Sequence, residues 1–205
     1  MADAGDRTGA LARVVALVAA LNLGYFTVEI SVALAIGSVA LLADSADFLE
    51  DAAVNLLILL GLSWSVRARA RLGMVLAGVL LAPALAFLWA LWGKLSAPVP
   101  PQGLVLGLTG MGALAVNLGC ALMLARVRRA SGSLTRAAFL SARNDAAANL
   151  GIIAAGLVTA FLWPSVWPDV VVGLAVAALN LDAAAEVWQA AREEGRDGEP
   201  DRAAP

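Results

Sequence analysis

The sequence predicts an all-α polytopic membrane protein, a six-transmembrane-helix bundle with an inverted internal repeat. Three observations carry this expectation. The 205-residue chain is 61% hydrophobic and only 15% charged, whereas soluble domains carry about 25% charged residues. Its mean hydropathy is +0.83. The word DAAVNL at 51–56 returns as DAAANL at 145–150, so one aspartate–asparagine pair stands inside two long apolar stretches.

Crossing a hydrocarbon core of about 30 Å takes roughly 20 apolar residues in a helix. Six segments qualify, near 11–36, 39–64, 72–93, 102–125, 137–163 and 168–190. The connections suit this division. Gly37-Ser38 makes a short turn, SVRARAR (65–71) is polar, and KLSAPVPP (94–101) holds three prolines. RVRRASGSLTR (126–136) is basic and contains Gly132, and Pro164 and Pro168 bracket the last turn. The first segment is too long for the apolar region of a signal peptide, contains Glu29 and lacks a convincing small-residue cleavage site, so it reads as a span.

Orientation follows from arginine and lysine. An even number of spans puts both termini on one side. Of the 14 basic residues, all but Lys94 and Arg143 fall on that side, in the two termini and in the loops around Arg67 and Arg128. Lys94 is alone on the opposite side, and Arg143 lies inside the fifth span. Both termini are therefore expected in the cytoplasm, with the protein in the plasma (inner) membrane. Residues 1–10 form a cytoplasmic tail, 11–190 the transmembrane domain, and 191–205 a charged, Pro- and Gly-bearing tail that reads as disordered.

Composition also excludes functions. Net charge is −2 with no basic block of the kind that tracks nucleic acid, so no nucleic-acid partner is expected. The single cysteine, Cys120, allows no internal disulfide and reads as an apolar filler. There is no histidine, no nucleophile elbow, no phosphate-cradling loop and no soluble domain, so an enzyme is not expected.

The DAAxNL words have company. Asn22-Leu23-Gly24 returns as Asn117-Leu118-Gly119, and Gly37-Ser38 as Gly132-Ser133. All three words recur in the same order at one near-constant spacing, an offset of three spans. Three spans reverse direction across the membrane, which marks an inverted-topology repeat of the kind found in secondary transporters. The alternative, duplication for packing alone, gives no reason to keep a carboxylate in lipid.

The polar residues form seams. In the second span Asp44, Asp47, Asp51 and Asn55 recur at three- and four-residue steps and share a stripe about 80° wide, with Glu50 off it. In the fifth, Ser141, Asp145 and Asn149 share a stripe, with Asn144 to one side. A mid-membrane aspartate costs roughly 2.5–3.5 kcal/mol on insertion scales. Three of them, ionised and unpaired, would cost on the order of 8–10 kcal/mol. Arg143 is the only base near these interiors and cannot neutralise Asp47, Asp51 and Asp145 together, so a cation, water or protons must meet them.

Other polar residues have more local readings. Asn22, Asn117 and Asn180 suit interhelical hydrogen bonds. Glu29 either lines an access path or is a packed or snorkelling side chain. Asp44 lies near the outer end of its helix, where water or a helix N-terminus would satisfy it. Asp182 and Glu186 read as interfacial, and the six tryptophans as an aromatic belt.

Carboxylate and amide oxygens from two helices make a hard-ligand site for a divalent cation such as Mg²⁺ or Mn²⁺. Zinc prefers imidazole or thiolate, although carboxylates bind it. The same carboxylates carry protons, so metal and protons compete for one site, which is what an antiporter needs.

GSVALLADSADFLEDAAVNL resembles the second helix of the cation diffusion facilitator (cation efflux) family, and NLGYFTVEI its first. The resemblance extends over about 11–190 and is strongest at 22–61 and 141–157. It implies a transporter of a divalent metal cation (Zn, Mn, Fe, Co or Cd not distinguished), usually exporting it in exchange for protons, and a homodimer. The family's Asp/His-x-x-x-Asp pair on the second helix falls on Asp47 and Asp51, and its partner pair on the fifth falls on Ser141 and Asp145. Ser141 departs from the family's His or Asp, and Asn144 stands close enough in sequence to replace it. The chain ends where members continue into a cytoplasmic metal-binding domain, and the histidine-rich loop of some members is an arginine-rich one here. Two other readings remain: a transport-inactive protein that binds a metal or a partner membrane protein, and a transporter of a small organic cation.

Overall fold

The structure, a computed structural model, describes residues 2–61, 82–127 and 132–180. These residues are helical apart from short turns. α1 spans Ala2–Ile36 and α2 Val39–Gly61. α3 is helical over 82–96. α4 spans Gly103–Val127 and α5 Gly132–Leu157, and α5 runs on into a π-turn, Val158–Leu162. α6 covers Trp167–Asn180. The loop around Arg67, Asp182, Glu186 and the tail from 191 lie outside the described residues.

Two helices run beyond their expected spans. α1 begins at Ala2, so the first ten residues extend the helix. α5 begins at Gly132 and absorbs much of the expected connection after Arg126. A glycine at a helix start costs far less than one inside.

Leu11–Ile36, Gly103–Arg126 and Asn144–Leu162 are each long and apolar enough to cross a membrane. Large apolar side chains line the outside, Leu34, Leu88, Leu122 and Phe161 among them. Trp89, Trp92, Trp163 and Trp167 are exposed and gather at one end, as an interfacial belt would. The protein is a multi-pass membrane protein.

α1 packs along α2 and α4 along α5, while α1 also meets α4 and α2 meets α5. Each repeat half therefore contributes a helical hairpin, and equivalent helices of the two halves touch. The α4–α5 contact depends on small residues. A Cβ at Gly156 would fall 2.5 Å from the Gly107 nitrogen and 2.7 Å from the Gly103 oxygen. Without a hydrophobic drive between helices in lipid, such close backbone approach is the main source of attraction.

The α1–α2 turn is closed by local chemistry and by a distant helix. Gly37 takes a left-handed conformation (φ +66°), and the Ser38 N–H donates to the Ala33 carbonyl at 2.9 Å, a glycine-ended helix stop. Ser38 then caps α2, its Oγ accepting from the Leu41 N–H at 3.1 Å. Asp169 of α6 completes the cap. It accepts from the Val39 N–H at 3.0 Å, the Ala40 N–H at 3.1 Å and the Ser38 hydroxyl at 2.6 Å. Lys94 of α3 donates to Asp169 at 2.6 Å and to the Gly37 carbonyl. Side-chain exposure is 5% for Lys94 and 0% for Asp169, so this is a buried ion pair that ties four helices at one end.

Candidate functional site

The seam of α2 faces α5. Asp47 and Asp145 come together across that contact, near enough for a hydrogen bond between their carboxyls. Asp51, one turn further along α2, lies within electrostatic range of Asp145. All three are half-buried. Two facing carboxylates repel, so such a pair is stable only with a proton or a cation between its members. Among the described residues no group of three or more acidic, histidine or cysteine side chains closes round an ion. A cleft of about 330 Å³ lies away from these carboxylates, lined by Gly37, Leu42 and Lys94 at the α1–α2 turn.

The two asparagines of the repeated word are used identically. Asn55 Nδ2 donates to the Asp51 carbonyl and Asn149 Nδ2 to the Asp145 carbonyl, each at 2.8 Å. Each side chain is buried and leaves its Oδ1 without a partner. One donor is thus spent on the helix turn carrying the aspartate, and one acceptor is left facing the interior. This repetition supports the inverted repeat more strongly than the matching letters do.

Other expected residues divide. Asn144 is exposed and stands outside the Asp47–Asp145 contact. Ser141 sits on α5 one turn before Asp145, and its side chain is outside the described set. Asn180 makes the interhelical bond expected of it, donating to the Ala43 carbonyl at 3.1 Å. Asn117 is buried. Asn22 departs from expectation: it is wholly buried and both amide atoms lack partners. Glu29 is sealed inside rather than snorkelling. Asp44 departs from the expected helix-end or solvent setting. It is fully buried against the Glu29 carboxyl, and Ser38 and Asp169 occupy the α2 N-terminus instead.

Asp169 was not singled out from the sequence. A signal existed: it follows Pro168 in the first turn of the last helix, and the positive-inside count leaves Lys94 as the one base expected opposite the termini. A helix start favours an acid, and an unmatched lysine in apolar surroundings needs one.

A membrane bundle of paired hairpins with acidic seams meeting between its halves defines a class, the polytopic ion transporters. The family model for the cation efflux transmembrane domain matches residues 15–193. The chain therefore belongs to the cation diffusion facilitator (cation efflux) family, whose members transport metal cations across membranes. No curated protein sequence matches the chain.

Proposed function

We propose that this protein moves a divalent metal cation out of the cytoplasm in exchange for protons, with Asp47, Asp51 and Asp145 as the binding groups. The observation that carries the reading is the Asp47–Asp145 contact between equivalent helices of opposite direction. A doubly charged ion neutralises both carboxylates, and so does protonation. The two states exclude each other, which is the condition for exchange. Ser141 adds a hydroxyl one turn from Asp145, whereas the exposure of Asn144 argues against it as a ligand.

Export is the direction that the resemblance to the cation efflux family implies. The basic residues cluster on the side of the termini, which supports a cytoplasmic placement for both. The hard oxygen donors and the lack of histidine favour Mn²⁺ over Zn²⁺.

Reconstitution into proteoliposomes tests this. A panel of Mn²⁺, Zn²⁺, Fe²⁺, Co²⁺, Cd²⁺ and Mg²⁺ is offered outside vesicles with an acidic interior. At least one ion should accumulate, collapse of the gradient by nigericin should slow it, and excess tetraethylammonium should not compete. Absence of divalent uptake under every gradient, or competition by the organic cation, overturns the reading.

A further inference from the structure

Glu29 of α1 and Asp44 of α2 are wholly buried, and apart from each other their carboxyl oxygens have no hydrogen-bond partner. The two side chains are neighbours across the α1–α2 contact. Tyr25 lies beside both, but its hydroxyl is directed elsewhere, donating to the Thr109 carbonyl at 2.5 Å. Its ring packs on Phe48 with centroids 4.9 Å apart. Ala33, Ala43 and Phe48, within four residues on the same helices, are buried as well. The buried base Lys94 is committed to Asp169.

Burying an unpartnered carboxyl is costly, and burying two side by side is more so. The only partner within reach of either carboxyl is the other one, so the pair needs a shared proton or a cation between its members. Asp44 precedes Asp47 by three residues, about 4.5 Å of helix rise. The pair lies between the half-buried Asp47 and the closed α1–α2 end.

We propose that Glu29 and Asp44 form a second binding site for a divalent cation, one helical turn beyond Asp47 toward the α1–α2 turn. This rests on the reading of Asp47, Asp51 and Asp145 as the first site. The two carboxylates offer hard oxygens from two helices and a charge that matches a dehydrated divalent ion. Asp44 is the next carboxylate on α2 beyond Asp47 toward the α1–α2 end. The pair is then a staging post on the exit route.

Counting bound Mn²⁺ per chain in the purified full-length protein, by equilibrium dialysis, is the test. The wild type should hold a second ion. Glu29→Gln and Asp44→Asn should each lose one and keep the other. Asp145→Asn should lose the other and keep the Glu29–Asp44 ion. Equal Mn²⁺ in wild type, Glu29→Gln and Asp44→Asn overturns the second site and leaves the first standing. Loss of all binding in Glu29→Gln with none lost in Asp145→Asn would sink the first-site reading instead. The wild type also answers without substitution. Two Mn²⁺ ions this close broaden each other's electron paramagnetic resonance lines, so at saturation the spectrum should broaden. Sharp single-ion lines at saturation overturn the proposal even where a variant fails to fold.

Discussion

An aspartate in a membrane helix needs a partner, and the partners here differ by residue. Asp169 has four donors, and its energetic weight shows in what removal of one would do. Lys94→Ala leaves a buried carboxylate without its counter-charge, a defect of about 3–5 kcal/mol. The variant should melt well below the wild type in detergent, and an unchanged melting temperature would contradict the pairing. Asn55 and Asn149 steady the turns that carry Asp51 and Asp145. Asn149→Leu removes that support and should weaken Mn²⁺ binding by about tenfold, as loss of an outer-shell partner typically does. A dialysis isotherm matching the wild type would count against it. The seam residues were legible from spacing alone, because three- and four-residue steps put side chains on one face whatever the packing. The Lys94–Asp169 pair was not, since the contact spans 75 residues and periodicity within one helix carries no information about it. Nor does sequence spacing reveal which acids are fully buried. Asp44 and Asp47 occupy one stripe, yet Asp44 is fully buried and Asp47 half-exposed.

Helices were legible from length and hydropathy, and their ends less so. Gly37 terminates α1 where expected because its positive φ suits only glycine at that turn. Gly132 stands at the matching position of the repeat but opens α5. The π-turn at Val158–Leu162 had no signature in the run VTAFL. The Trp163 N–H reaches back to the Val158 carbonyl at 2.7 Å, just before Pro164, which has no N–H to offer. The glycines of α4 and α5 are clearer after the fact, because they matter through an approach between helices. Gly156→Val places a side chain where the Gly107 and Gly103 backbones already are. Overpacking of this kind costs about 1–3 kcal/mol, and the helices have no room to yield without parting. Thermal unfolding should show the loss, while Gly119→Ala, with open space around it, should be neutral. Equal melting of the two variants would count against the close contact.

At the scale of the molecule, two hairpins of opposite direction meet along acidic seams, and the turn end is tied by a buried ion pair while the half-buried aspartates stand deeper. The repeated words announced this arrangement because duplication copies the polar residues along with the helix. What no repeat could announce was the knot at the α1–α2 end, which draws on α3 and α6, where no matching words occur. If protons and metal exchange at one site, each ion entering an acidic vesicle must expel protons. Lumenal pyranine fluorescence should then report alkalinisation on metal addition, and metal uptake with no pH change would remove antiport from the account.

The most direct test is metal flux into proteoliposomes by Asp47→Asn and Asp145→Asn, each compared with wild type at equal reconstituted protein. Both substitutions keep shape and remove charge. The account predicts flux at background for both variants with wild-type elution on size exclusion. Wild-type flux from either variant would contradict the claim that carboxylates from α2 and α5 jointly hold the transported ion.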